Sequence, residues 1–205
     1  MQVTVRACKA HNVFIGAHPG FPDLQGFGRC EMKLSPEEHT ENTVYQVGAL
    51  KGFLDKEGVE LNHMKPHVVL YGMICQDFGV AEAVMKGVPK GLKVFGLAAT
   101  EMERAAVNVG VEFCAEMYGD VKYSKDGMLV IDRIKMPWKL EDVEKHIEQQ
   151  LTTESVTATD GSTLHLPVKD YPISICCHSD SPGCVGIIST TRAVCDSFNK
   201  EHGYS

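Results

Sequence analysis

The sequence predicts an α/β fold in which parallel strands alternate with helices. Short apolar runs are repeatedly followed by amphipathic stretches that open with helix-start signals. Three of the predicted strands end beside a histidine, namely His18, His67 and His178. Strands that alternate with helices are joined by right-handed crossovers, and closing them into a distorted (β/α) barrel places every strand end on one rim. We therefore predict that the three histidines lie together; an open doubly wound sheet, the alternative fold, would disperse them.

Length and composition indicate one globular domain, residues 1–205, with a small-molecule substrate. The chain has 43% hydrophobic and 23% charged residues and no apolar stretch of the roughly 20 residues that cross a bilayer. Its net charge of −7 and lack of a Lys/Arg cluster argue against nucleic acid. The eight cysteines form no Cys-x-x-Cys pair, and residues 1–9 carry charges where a secretory signal would be apolar. We expect a protein of the reducing cytoplasm with no membrane partner.

The first third of the chain predicts a helix, a strand, a loop and a long helix. Residues 2–9 are weakly helical and residues 13–15 form a strand. Residues 16–29 hold four glycines and two prolines, which is typical of a binding loop when His18 and Asp23 are also present. Ser35 then starts a capped helix that runs to about Lys56.

Residues 64–71 predict a short strand that carries a second group of functional side chains. The run contains Lys65, His67 and Tyr71. The alternative is that Pro66 only ends a strand and that His67 is an ordinary surface residue. The histidines of the other two strand ends favour a site.

The remaining elements continue the alternation. We predict helices at 77–86, 100–109 and 140–151, strands at 93–97, 111–113 and 155–158, and either a strand or the arm of an excursion at 128–131. The pair Thr100 and Glu103 predicts a second capping box, and 160–161 is a turn signal.

A final strand at 172–177 is predicted to lead through His178 and Asp180 into a helix. Ser181 would be the N-cap of that helix and Pro182 its first residue. Because a helix N-terminus favours anions, Asp180 should stay ionised and the site should suit a substrate carboxylate or phosphate.

Several of these motifs resemble the LamB/YcsF family, and the resemblance spans nearly the whole chain. They are the segments 16–29, 45–50, 65–71 and 177–180, with 65–73 and 171–184 most similar to the fungal lactam-utilisation branch. The resemblance implies a barrel of the glycoside hydrolase/deacetylase type. It also implies an ATP-dependent 5-oxoprolinase, in which one subunit of this family opens the lactam of 5-oxoproline to glutamate together with two other subunits.

The chain departs from the family pattern at three places. Val68 and Ser179 stand where bacterial motifs have glycine, and Val121 replaces an arginine. The family's first two strands, which are rich in Asp, Asn and His, have no counterpart here. We therefore expect the chain alone to be poorly soluble, to form homo-oligomers or to expose an apolar groove, and to hydrolyse lactams weakly at best.

Eight residues are our candidates for the site. His67, His178, Asp180 and His18 are the candidate catalytic residues, and Lys65, Arg29, Asp23 and Tyr71 the candidate substrate-binding residues. An imidazole that titrates near neutral pH suits a general base, with Asp180 or Asp23 orienting it, and Lys65 and Arg29 suit an anion. The chain has no Gly-x-x-x-x-Gly-Lys-Ser/Thr loop, so we expect ATP to bind by another route or on a partner protein.

Two other functions compete with lactam hydrolysis. Three histidines and two aspartates on one rim would suit zinc in a deacetylase-like hydrolase, although no His-x-x-x-His spacing or thiolate pair supports a metal site. The chain is otherwise a non-catalytic family member or a binding subunit.

Overall fold

Helices and parallel strands alternate in the computed structural model, which describes residues 1–132, 134–168 and 171–204. In chain order the elements are α1 (Gln2–Ala10), β1 (Ile15–Ala17), α2 (Pro36–Glu57), β2 (Leu61–Met64), α3 (Val68–Ile74), α4 (Phe78–Lys86), β3 (Lys93–Gly96), α5 (Glu101–Val109), β4 (Phe113–Tyr118), β5 (Lys122–Tyr123), β6 (Leu129–Val130), α6 (Leu140–Thr153), β7 (Ser155–Thr157), β8 (Thr163–His165), β9 (Ile173–Cys176) and α7 (Cys184–His202). The predicted α/β class is confirmed. The chain forms two compact units, Met1–Cys114 and Ala115–Ser205; that they make a single domain stays a prediction.

The first unit is built on β1, β2 and β3, which pair in parallel in that order. Ala17 lies opposite Met64 in the register of β1 and β2. The carboxyl ends of these two strands therefore meet at one edge, where the chain continues into His18 and Lys65. Behind the strands, a buried cluster of Val5, Ile15 and Leu54 joins α1 and α2 to β1.

The second unit is built on β4 and β9, which also pair in parallel. Tyr118 lies opposite Cys176 at the carboxyl end of the pair, and all six residues of β4 are buried. Val143 and Ile147 of α6 pack on Ile187 of α7 to form the core of this unit. Two antiparallel hairpins, β5–β6 and β7–β8, complete it.

The helix starts predicted from capping residues are confirmed at α2 and α4. Ser35 and Glu38 form the full capping box of α2, and Gly58 ends that helix with φ 64°. Asp77 accepts a hydrogen bond from the Val80 N–H and caps α4.

Residues 68–71 are helical, so the strand predicted over them is wrong. The strand β2 ends at Met64, and Pro66 separates it from α3. A short apolar run is compatible with a buried strand or with a buried helix turn. Here Leu70, Tyr71 and Ile74 are buried on one side of α3, which is helical spacing.

Two predicted caps are also wrong. Helix α5 begins where predicted, but the Thr100 hydroxyl donates to the Leu97 carbonyl and Glu103 accepts from the Ala99 N–H, so no capping box forms. Helix α7 begins at Cys184 with Gly183 as its N-cap. The Ser181 hydroxyl does not cap it, because that hydroxyl donates to a buried carboxylate instead.

Other boundaries differ by a few residues. Strand β1 begins at Ile15 because Val13 and Phe14 are exposed, and β4 begins at Phe113. Residues 129–130 pair with β5 as an excursion, the second of the two predicted alternatives. Within the described residues no single helix is long and apolar enough to cross a membrane; α3 and α4 pass that test only as a pair, bent by 117° between them.

Candidate active site

A histidine and a buried aspartate meet at the carboxyl edge of β4 and β9. The His178 Nδ1–H donates to Asp120 Oδ1 over 2.9 Å, and the His178 backbone N–H donates to Asp120 Oδ2 over 2.9 Å. The Ser181 hydroxyl also donates to Oδ2. The Asp120 side chain is 0% exposed, whereas that of His178 is 34% exposed. A buried carboxylate thus fixes the orientation of an imidazole whose other edge faces outward.

The two groups stabilise each other's charged form. Burial works to raise the pKa of Asp120, but hydrogen bonds from His178 and Ser181 outweigh it and lower that pKa below its ordinary value. The hydrogen bond to Asp120, and a second contact to Cys176, raise the pKa of His178 to about 9. Near neutral pH the pair is therefore an imidazolium and a carboxylate.

This ion pair predicts a particular pH dependence of stability. The folded-state pKa of His178 is raised from 6.5 to about 9, so its contribution is complete below pH 6.5 and is lost as pH rises through about 9. The pKa of Asp120 is lowered, so its contribution is present above pH 3.8 and is lost as pH falls through the lowered value. We expect urea unfolding to show that His178→Gln costs most between these limits and progressively less toward pH 9.

The matched control for that experiment is His165→Gln, on exposed strand β8 of the same unit. It should lower the free energy of unfolding little at any pH. A cost of His178→Gln that stays constant from pH 6.5 through 9 would contradict the ion pair.

Asp180 lies outside this pair. It forms an ion pair with Lys135, whose ammonium also donates to the Ser181 hydroxyl over 3.1 Å. Because α7 begins at Cys184, Asp180 precedes its N-terminus by four residues, and the predicted placement at a helix N-terminus is wrong. Its role as a site residue stays a prediction.

A buried glutamine supports the strand end that carries Asp120. The Gln150 amide donates to the Tyr118 carbonyl over 3.0 Å, and its oxygen accepts from the Tyr118 N–H and from the Tyr123 hydroxyl. Gln150 is fully buried on α6. The segment between β4 and β5 is thereby held by hydrogen bonds that a hydrophobic residue would not replace.

In the first unit, His18 and His67 form a linked pair at the carboxyl edge of β1 and β2. His18 Nδ1 lies 2.6 Å from the Lys65 carbonyl oxygen, and His18 Nε2 lies 2.9 Å from His67 Nδ1. His67 Nε2 lies 2.9 Å from the Phe27 carbonyl oxygen. The two imidazoles therefore tie the 16–29 loop to the segment after β2.

These bonds determine how many protons the pair holds. Both terminal acceptors are carbonyls, so His18 Nδ1 and His67 Nε2 must each carry a hydrogen, and the bond between the rings needs a third. Two neutral imidazoles carry only two. The hydrogen-bonded pair thus holds one extra proton and one positive charge, and all four ring nitrogens are engaged.

The loop around this pair is held by α2. The Gly20 carbonyl accepts from Asn42 Nδ2 over 2.8 Å and from Gln46 Nε2 over 2.7 Å, while the Gly20 N–H donates to Gln46 Oε1. Gly28 has φ 68°, and a Cβ there would lie 3.0 Å from His67 Cδ2. The loop therefore needs glycine where it passes over the histidine.

The remaining predicted site residues of the first unit lie near this pair in sequence. The Lys65 ammonium lies 5.7 Å from the centre of the buried Tyr71 ring. Asp23 Oδ1 accepts from the Gly26 N–H over 2.7 Å, and its Oδ2 is buried without a hydrogen bond from the described residues. Arg29 is exposed and follows the turn that Asp23 closes. Their roles in binding substrate stay predictions.

A strained residue follows His67. Val68 has φ 37°, a conformation that glycine adopts readily and β-branched residues rarely. This is one of the positions where the sequence departs from a glycine of the family pattern. The first turn of α3 therefore stores backbone strain directly beside the histidine pair.

Sequence reasoning missed Asp120 and Ser181 as site residues. Asp120 follows a fully buried strand, and a carboxylate at the end of such a strand is a usable signal. Ser181 was interpreted as a helix cap because Ser-Pro is a common helix start. Among the described residues, no group of three His, Cys, Asp or Glu side chains has the geometry of a metal site.

An open groove of about 980 Å³ lies in the second unit along β9 and α7. Apolar and polar side chains share its walls, with Ile173, Ile175, Ile188 and Phe198 on the apolar side. His178, Asp120 and Ser181 are not among its lining residues.

Comparison with known proteins places this geometry in a family. Residues 1–202 match the model of the LamB/YcsF family. The chain is 66% identical over 204 residues to the lactam utilization protein lamB of Emericella nidulans, covering 100% of this chain and 81% of that protein. It is 38% identical over 198 residues to the A-type subunit of 5-oxoprolinase from Pyrococcus furiosus, covering 94% of this chain and 76% of that one.

A solved structure is also similar. The crystal structure of the lactam utilization protein from Thermus thermophilus matches with a TM-score of 0.84 and 32% identity, covering 100% of this chain and 80% of that chain. The family match over nearly the whole length agrees with these relatives. This chain belongs to the LamB/YcsF family.

Proposed function

We propose that this chain is the hydrolytic subunit of an enzyme that opens cyclic amides, with 5-oxoproline or a related lactam as substrate. The relatives named for lactam utilization and for 5-oxoprolinase support the substrate class. The observation that carries the chemistry is the His178 imidazolium held by buried Asp120.

The chemical need for such a group is clear in a lactam. Amide resonance protects the carbonyl, and the ring nitrogen is a poor leaving group until it gains a proton. His178 directs Nδ1–H at Asp120, so Nε2 carries the proton that can be given away. We assign His178 as the proton donor to the ring nitrogen and Asp120 as the residue that keeps His178 oriented and charged.

The first unit supplies candidates for binding. All four ring nitrogens of His18 and His67 are engaged in hydrogen bonds, so neither acts as a base without breaking one. We propose that this pair supplies positive charge and anchors the loop, and that Lys65 and Arg29 hold an anionic group of the substrate.

Three further parts of the proposal concern the assembly. We propose that the chain adopts the barrel of the glycoside hydrolase/deacetylase type and works with other subunits, because its 5-oxoprolinase relatives are themselves named as one subunit of that enzyme. The sequence has no Gly-x-x-x-x-Gly-Lys-Ser/Thr loop, so we place ATP on one of those partners. All eight cysteines are thiols, which suits a reducing cytoplasm.

The test is glutamate formation from 5-oxoproline by this chain co-purified with partner subunits from its own source, in the presence of ATP. We expect turnover in the complete mixture and little from the chain alone. His178→Gln should lower turnover by about 10²–10⁴-fold, and His165→Gln should leave it unchanged. Absence of turnover on 5-oxoproline and on a panel of other five- and six-membered lactams would overturn the proposal.

A further inference from the structure

We propose that Cys176 is a covalent nucleophile at the β4–β9 edge, with His178 as its proton partner and Asp120 as the residue that positions His178. The inference rests on the proposed function, because it names the atom that attacks the amide carbonyl. None of the sequence motifs singled out Cys176 for chemistry. Its adjacency to Cys177 within an apolar strand suggested a core residue.

The three side chains have the order of a nucleophile, a base and an orienting acid. Cys176 Sγ lies 3.8 Å from His178 Nε2, and His178 Nδ1 lies 2.9 Å from Asp120 Oδ1. The sulfur and the carboxylate thus contact opposite nitrogens of one ring. Nucleophile, imidazole and carboxylate in this sequence define catalytic triads on unrelated folds.

The strand alternation separates Cys176 from its neighbour. Successive side chains of a strand point to opposite faces. Cys177 packs against the core cluster of α6 and α7 and bonds to the Thr191 hydroxyl at 3.3 Å. Cys176 contacts His178 instead, so only one of the two thiols lies beside the imidazole.

Electrostatics favour a reactive thiolate at Cys176 and disfavour one at Cys177. An imidazolium beside a thiol promotes its ionisation, and the Cys176 sulfur is one of the contacts that raise the pKa of His178. Burial, in contrast, raises the pKa of Cys177 to about 11. The chain therefore holds a matched pair of adjacent cysteines with opposite expected reactivity.

The proposed reaction has two steps. The Cys176 thiolate attacks the lactam carbonyl carbon, an S–C bond forms, the C–N bond breaks, and the ring nitrogen takes the Nε2 proton of His178. Water then attacks the resulting thioester and gives a proton to His178 Nε2 while the C–S bond breaks. The products are the open-chain amino acid, the thiolate and the imidazolium, so no oxidant or reductant is needed.

Alkylation by iodoacetamide tests the thiol without requiring turnover. We expect Cys176 to react at pH 7 about 10²-fold or more faster than Cys177, as resolved by fragmentation of the shared peptide. In His178→Gln, alkylation of Cys176 should move to higher pH and fall about tenfold near neutrality. Equal rates at the two cysteines, or a pH profile unchanged by His178→Gln, would overturn the proposal.

Turnover in the complex with partner subunits supplies the second arm. Cys176→Ser should lower lactam hydrolysis by at least about 10²-fold, Cys177→Ser should retain it, and a quenched reaction should contain enzyme carrying the opened lactam on Cys176. Full turnover by Cys176→Ser overturns the nucleophile while leaving the proposed function intact. A wild-type complex inactive on every lactam, with fast and His178-dependent alkylation, supports the nucleophile and overturns the lactam substrate.

Discussion

Asp120→Asn is expected to lower turnover of the cyclic amide by about 10²–10⁴-fold while the protein stays folded. Asparagine keeps the shape of the side chain but removes the charge that raises the pKa of His178. His178 would then be largely neutral near pH 7 and would seldom hold the proton that the leaving nitrogen needs. Turnover of the complete complex, with circular dichroism of each variant, measures the effect.

A second readout separates positioning from mere structural damage. Titration of the His178 imidazole by NMR should give a midpoint near 9 in the wild type and one nearer 6.5 in Asp120→Asn. The matched control is Asp196→Asn, because Asp196 forms an exposed ion pair with Arg192 on α7. Wild-type turnover in Asp120→Asn, or an unchanged His178 midpoint, would contradict the role assigned to Asp120.

Gly16→Ala is expected to lower the free energy of unfolding by about 2–4 kcal/mol. A Cβ at Gly16 would lie 2.2 Å from His63 Nε2 and within 2.5 Å of two ring carbons. The His63 ring cannot easily move away, because it stacks on Phe95 with 4.0 Å between centroids and 4° between planes. Urea unfolding of both proteins measures the loss.

Gly48→Ala is the matched control for this substitution. Gly48 lies in α2 and a Cβ there would meet nothing within 4 Å, so alanine should stabilise the helix by up to about 1 kcal/mol. A cost of Gly16→Ala no larger than that of the control would show that His63 has room to shift. Burial, with Lys93 and Lys65 nearby, lowers the pKa of His63 to about 4, so the displaced ring would be neutral in this experiment.

Local sequence signals predicted most of the helices and strands because their causes are local. The capping box at Ser35 and Glu38 and the αL glycines at Gly58 and Gly110 depend on residues within one turn, and they end the helices where expected. The apolar run at 68–71 is different. Its length suits either a buried strand or a helix turn, and packing around Leu70 and Tyr71 decided for the helix.

Candidate residues were predictable by type and only partly by partnership. The sequence by itself determined the α/β class, the family and the presence of histidines after the strands, since periodicity, caps and motifs are readable in one dimension. Only the tertiary structure decided that His67 bonds to His18, that His178 pairs with Asp120 instead of Asp180, and that Cys176 rather than Cys177 faces the imidazole. The physical reason is that parallel pairing brings residues 58 positions apart to within 2.9 Å, and that the pleat of β9 assigns adjacent cysteines to opposite faces.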